Sequence, residues 1–158
     1  MAEPDSATTP DGQLPSLVHI PFLAHLGCEL RRFDGGQSEL VLTLREELTN
    51  AWGMAHGGVT MTLLDAAMGH AARSPDEPGG EPRTGVVTIE MKTSFMRPGL
   101  GRLRVQGRVV HRTLTMSFCE ASVLDDKGAL VAHGTGTFKH LKSLTVGGMK
   151  VRRGGASD

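Results

Sequence analysis

The chain has no tyrosine, one tryptophan and two cysteines in 158 residues. Cys28 and Cys119 stand in apolar contexts, far apart and without ligand spacing. They read as reduced core thiols of a cytoplasmic protein rather than a disulfide framework. No apolar run approaches the 18 or so residues of a membrane span. The opening MAEPDSATTPDGQLP lacks the basic and apolar regions of a signal peptide. An excess of either charge is absent too: 17 lysines and arginines balance 17 aspartates and glutamates. Nothing in that balance points to nucleic acid or a membrane surface as partner. No histidine–cysteine cluster has metal-ligand spacing. There is no G-x-S-x-G elbow, and Gly99-Leu100-Gly101 leads into a strand rather than a helix, so it is no dinucleotide fingerprint. The expectation is a chemistry that needs neither metal nor cofactor.

What is present has a clear order. Residues 1–15 read as a disordered segment, 16–141 as one domain, and 142–158 as a flexible basic tail carrying Lys142, Lys150, Arg152 and Arg153. Leu17 to Leu26 has helical spacing; Pro21 argues for a short or broken helix, and Gly27 closes it. Glu29–Phe33 and Ser38–Leu44 form a hairpin around Asp34-Gly35-Gly36. Gly58 to Ala72 (GVTMTLLDAAMGHAA) is a helix without a polar face, which predicts burial on all sides. A proline- and glycine-rich loop follows, and then strand patterns only. In the first, Val86–Met96, strict alternation places Val87, Ile89, Met91 and Phe95 on one face and Thr88 on the other. Three more strands form a meander, Leu103–His111, Thr115–Leu124 and Leu130–Phe138. The pattern is α+β: an antiparallel sheet wrapped around one long central helix.

Asp65 is the one charge in that helix. A carboxylate among apolar side chains is costly unless it has a partner or a task. The helix opens on His56-Gly57-Gly58, where bare N–H groups and the positive end of the dipole gather. A polariser and a base on one element are the minimum for acyl transfer or hydrolysis. Gly57 and Asp65 are eight residues apart, about 12 Å of helix rise. Reacting atoms must approach to about 3–3.5 Å, so the two cannot serve one bound molecule within a single chain. A site shared between two subunits follows, and with it a homodimer or a homotetramer built as a dimer of dimers. Trp52, in the loop before Gly57, is placed to wall such a site. His70 lies off the helical face of Asp65 and reads as core or interface.

The element order resembles the hotdog fold. Asn50-x-x-Gly53-x-x-His56-Gly57-Gly58 followed by Leu64-Asp65-x-Ala67, with Val87–Lys92 and Phe95-Met96-Arg97-Pro98, resembles the acyl-CoA thioesterases of the phenylacetate-pathway type. The resemblance runs from about Pro21 to Leu141. It implies an acyl-CoA substrate and water as co-substrate. Gly57 would polarise the thioester carbonyl and Asp65 would act as general base or nucleophile. Asn50 and His56 would line and orient the site beside Gly58, and Thr88 would hold the attacking water. Two other readings share the fold: a non-catalytic acyl-CoA sensor, and an enoyl-CoA hydratase. A lone helix-centre carboxylate argues against the first, and the Asn50–Gly57–Asp65 spacing against the second.

Overall fold

The computed structural model describes residues 19–141, 144–146 and 149–151. A short helix α1 (Pro21–Leu26) leads into the hairpin β1 (Glu29–Asp34) and β2 (Gln37–Thr43). After a single 3-10 turn at Glu46–Leu48 comes the long helix α2 (Gly57–Arg73). Strands β3 (Val86–Phe95), β4 (Arg102–Arg112), β5 (Met116–Leu124) and β6 (Leu130–His140) complete the domain. Pro21 does not break α1; it starts it, because a first-turn proline gives up an N–H that has no helical partner anyway. Gly27 ends the helix in the left-handed conformation, φ 80°.

The six strands form one antiparallel sheet in the order β1-β2-β4-β5-β6-β3. Strands β1 and β3 are therefore its edges. Helix α2 lies across the middle strands, and Leu63, Leu64, Ala67 and Met68 are wholly buried against Leu40, Leu103, Val105 and Val123. At its closest approach the helix touches the sheet backbone: a Cβ on Gly107 of β4 would lie 2.5 Å from the Ala67 carbonyl oxygen. The Ser38 hydroxyl donates to that same oxygen at 2.6 Å. Only glycine fits there.

Two expectations from the sequence need correction. The helix is not buried all round. A six-stranded sheet covers one face, and the opposite face, with Met61 40% exposed, stands open in the protomer. Strand β3 does not alternate regularly either. Thr88 pairs with Phe138 and Glu90 with Thr137, so the register slips between them. This bulge inserts one extra residue and reverses the parity of everything before it. Thr88 and Met91 consequently line one groove, while Ile89 is exposed. Within the segment read as a flexible tail, Leu144–Val146 and Met149–Val151 pair as a two-stranded ribbon, flanking a glycine pair in the sequence. The rest of that tail and the first 18 residues lie outside the described residues.

Cys119 is buried in the core and Cys28 packs partly buried against it. Burial pushes Cys28 up to about 11, partly offset by the charge of Arg45. Burial likewise pushes Cys119 up to about 12, offset by Arg112. Neither forms a thiolate near neutrality, and both are free of disulfides.

Candidate active site

The loop before α2 is held by Asn50. Its side-chain Oδ1 accepts from the N–H of Trp52 at 3.0 Å and of Met54 at 3.2 Å. Its backbone N–H donates to the Met54 carbonyl at 2.8 Å. An asparagine suits this place because its short amide bonds backbone two residues on. The loop delivers the chain to His56, the residue that caps α2. The His56 ring Nδ1 accepts from Gly58 N–H at 3.0 Å, which fixes that nitrogen as the unprotonated one. A Cβ on Gly58 would stand 3.1 Å from the same ring nitrogen, so glycine lets the imidazole close over the helix start. Val59 and Thr60 donate to the His56 carbonyl. The N–H of Gly57 has no acceptor among the described residues. One donor at the positive end of α2 is thus left open, with the ring of Phe95 beside it. Trp52 projects from the loop with 80% of its surface exposed.

Two turns further along α2, Asp65 is half-buried and faces β3. The Thr88 hydroxyl donates to Asp65 Oδ1 at 2.7 Å. A carboxylate ordinarily searches several rotamers; this bond holds one oxygen and leaves the other to act. The pair exists only because of the bulge at Ile89, which turns Thr88 toward the helix. Strand β3 runs opposite to α2, with Phe95 beside Gly57, Thr88 at Asp65 and Val86 beside Gly69.

The Asp65–Thr88 pair sits in the wall of a groove of about 440 Å³, within the size range of small-molecule sites. Helix α2 forms one side through Met61, Ala66, Gly69 and His70. Val86 and Met91 of β3 and Phe138 of β6 form the floor, and Ile20, Phe22 and Leu23 of the α1 region the other side. Arg45 fastens α1 in place by donating from its two terminal nitrogens to the carbonyls of Leu26 at 2.8 Å and His25 at 2.7 Å. His70 belongs to this groove rather than to the core alone. Its Nδ1 lies 2.7 Å from the Ala66 carbonyl, and its ring meets Phe33 edge-on. Burial lowers its pKa below 6.5, and Arg73 adds to the effect, so the ring is neutral near pH 7.

The sequence-derived site residues therefore fall into two groups. Asn50, Trp52, His56, Gly57 and Gly58 gather at the start of α2; Asp65 and Thr88 meet two turns away. Within one chain the groups stay apart. The sequence reading missed the groove itself: Phe22, Met61, Gly69, Val86 and Phe138 come from four elements, and only the mid-helix glycine carried a local signal. No group of three histidine, cysteine or acidic side chains able to hold a metal occurs among the described residues. No helix among them is long and apolar enough to cross a membrane.

Comparison with known proteins agrees with this architecture. The profile of the Thioesterase superfamily matches residues 53–132, the span from the start-of-helix loop into the first residues of β6. The medium/long-chain acyl-CoA thioesterase YigI of Escherichia coli is 24% identical over 135 residues, 77% of this chain and 86% of that one. A thioesterase family protein from Silicibacter pomeroyi superposes with TM-score 0.69 and 29% identity, covering 77% of this chain and 90% of that one. A variant of the phenylacetic acid degradation protein PaaI of Thermus thermophilus superposes with TM-score 0.67 and 26% identity, covering 77% of this chain and all of that one, 100%. With six antiparallel strands around one long helix, and a family match across half its length, this chain is a hotdog-fold member of the Thioesterase superfamily.

Proposed function

We propose that the protein hydrolyses an acyl-CoA thioester to free CoA and a carboxylic acid, at a site completed by a second copy of the chain. The observation that carries the reading is the Asp65–Thr88 pair, a carboxylate fixed at 2.7 Å by a hydroxyl in the wall of an apolar groove. Kinship with acyl-CoA thioesterases supports the substrate class.

The open Gly57 N–H of one protomer would point at the thioester oxygen and stabilise the charge that develops on it. Asp65 of the other would take a proton from the attacking water, or attack the carbonyl carbon itself to form a mixed anhydride that water then opens. In both routes the carbon–sulfur bond breaks, CoA leaves as the thiol, and the carboxylate remains. Single turnover in oxygen-18 water identifies direct attack where water opens the anhydride at the Asp65 carbonyl carbon, the one course that leaves label in the Asp65 side chain. Thr88 positions the carboxylate, Asn50 and His56 shape the donor loop, and Trp52 walls the site from across the interface. A thioester is already activated, so the reaction calls for no cofactor.

Two features support assembly. Strand β3 is a ten-residue edge strand, and an unpaired edge of that length invites a second copy. Around it Ile89, Phe95, Met96, Met61 and Trp52 are all exposed in the lone chain. A dimer pairs these surfaces, and a dimer of dimers extends the same reading.

Asp65→Asn tests the assignment. The amide keeps the shape and can still accept from Thr88, but neither takes a proton nor attacks. Turnover on the best acyl-CoA should fall by about 10²–10⁴. Wild-type turnover in Asp65→Asn would remove Asp65 from the chemistry.

A further inference from the structure

Strand β3 ends the sheet beside the site and carries an unmatched cation. On the sheet face turned away from α2, Arg104 has Glu39 as partner and Arg108 has Glu120. Lys92, on the same face of β3, joins no ion pair among the described residues. Two residues before it, Glu90 accepts the Thr137 hydroxyl of β6 on Oε1 at 2.6 Å, which leaves its second oxygen. Met91 stands between them and faces inward, into the groove. An antiparallel self-pair turns a strand end for end about a two-fold axis, and opposed residues share a face of the sheet. With the axis at Met91, Glu90 of each copy opposes Lys92 of the other. With the axis at Glu90 two carboxylates would meet, and with the axis at Lys92 two ammonium groups, both unfavourable.

The inward face of β3 runs Val86, Thr88, Met91, Thr93, Phe95. Val86 lies beside Gly69 and Phe95 beside Gly57. Thr93 pairs with Gly134, on which a Cβ would stand 3.3 Å from Leu64 Cδ1. The bulge makes Thr88 the inward neighbour of Met91. About an axis at Met91, Thr93 of one copy therefore opposes Thr88 of the other, with Cβ atoms about 4.5–5.5 Å apart. The two hydroxyls are complementary. Thr88 gives its one proton to Asp65 and keeps lone pairs that can accept. Thr93 Oγ1 is buried and has no hydrogen-bond partner among the described residues, a state that buried polar groups avoid.

We propose that two copies join edge to edge along β3 in the one register centred on Met91, and that this register seats the Thr93 hydroxyl of each on the Thr88–Asp65 pair of the other. This rests on the two-subunit reading above and adds to it the register and a positioning residue. Thr93 donates to the partner subunit's Thr88, which donates to its own Asp65. Gly57, beside Phe95, comes within one inward step, about 7 Å along the strand, of the residue opposing that pair.

Single cysteines read the register. Opposed residues can be bridged by a disulfide; diagonal ones, about 7–8 Å apart, cannot. Under mild oxidant, full-length Met91→Cys should run as a covalent dimer on a non-reducing gel. Glu90→Cys alone and Lys92→Cys alone should stay at the wild-type background, and the two co-expressed should cross-link. A covalent dimer from Glu90→Cys alone or Lys92→Cys alone moves the axis and overturns the proposal. So does the absence of a link from both Met91→Cys and the mixture. On the best acyl-CoA, Thr93→Val should lower kcat about two- to tenfold, as for one neutral hydrogen bond. KM and dimer mass should hold, and Thr93→Ser should restore the rate. In a Thr88→Val background the same change should cost nothing further, because the link to Asp65 is already cut. Full kcat in Thr93→Val, or an equal loss in both backgrounds, overturns the positioning role. If the wild type cleaves no thioester, the acyl-CoA reading falls, while the cross-links still report the register.

Discussion

The two faces of α2 are built on opposite rules. On one, Leu63, Leu64, Ala67, Met68 and Ala71 are wholly buried against the sheet. On the other, Met61, Asp65, Gly69 and His70 line an open groove. The first face agrees with local preferences: helix-forming apolar residues and a close helix–sheet approach over Gly107. The second breaks several at once, with a lone carboxylate, a mid-helix glycine and an exposed methionine. Sequences that specify a fold agree across levels, and the places where agreement fails are where function is expected. One helix can carry both because its buried face supplies the stability that the open face gives up.

Paired substitutions at neighbouring positions sharpen that contrast. Leu64→Ala should lower the unfolding free energy by about 2–5 kcal/mol, the range for removing a buried leucine side chain. Asp65→Asn, one residue on, should stay within about 1 kcal/mol of the wild type, because its hydrogen bond survives. Denaturant unfolding of both measures the difference. Comparable destabilisation would make Asp65 part of the scaffold.

Thr88→Val comes next in size. It removes the hydroxyl that holds Asp65 and keeps the volume. A hydrogen bond to a charged group is worth about 1.5–3 kcal/mol, so kcat should fall about tenfold or more, with Thr88→Ser restoring most of it. Equal activity in Thr88→Val would mean that the carboxylate needs no orientation.

The smallest effect is on pH dependence. Burial lowers the pKa of His70, and Arg73 lowers it further. For His140 the causes are burial, then the charges of Arg112 and Arg83. A histidine whose folded pKa lies below its unfolded value binds fewer protons when folded. Stability is then complete above pH 6.5 and is lost as pH falls below it. The slope is at most about 1.4 kcal/mol per pH unit for His70. Melting temperatures from pH 7.5 to 5 should decline, and His70→Gln should flatten the decline. A wild-type profile level across that range would show that these rings are not held neutral.

Much of this was legible in the chain, and the exceptions share a cause. Element order, the hairpin at Asp34-Gly35-Gly36 and the meander follow from periodicity, which is local. Asp65 stood out because a charge in an apolar helix needs no partner to be noticed. Thr88 was placed on the wrong face because the bulge at Ile89 is set by register with β6, about 50 residues away in sequence. The open face of α2 was missed because the helix is rich in alanine, glycine and threonine, whose polarity does not distinguish burial from a groove. The wall formed by α1 depends on Arg45 reaching back to Leu26 and His25, which no spacing rule announces.

The most direct test of the two-subunit site is complementation. Let one variant carry Asp65→Asn and the other Gly57→Val, the latter crowding the Phe95 ring and the open N–H. Each homodimer should be nearly inactive, the second by about 10²–10³ for the loss of an oxyanion donor. In a mixed dimer, one site draws its N–H from the Asp65→Asn chain and its carboxylate from the Gly57→Val chain and is intact; the other carries both lesions. Mixed dimers isolated through two different tags should recover up to about half of wild-type activity. Mixed dimers as inactive as either parent, with Gly57→Val shown to be folded, would contradict a site assembled from the helix start of one subunit and Asp65 of the other.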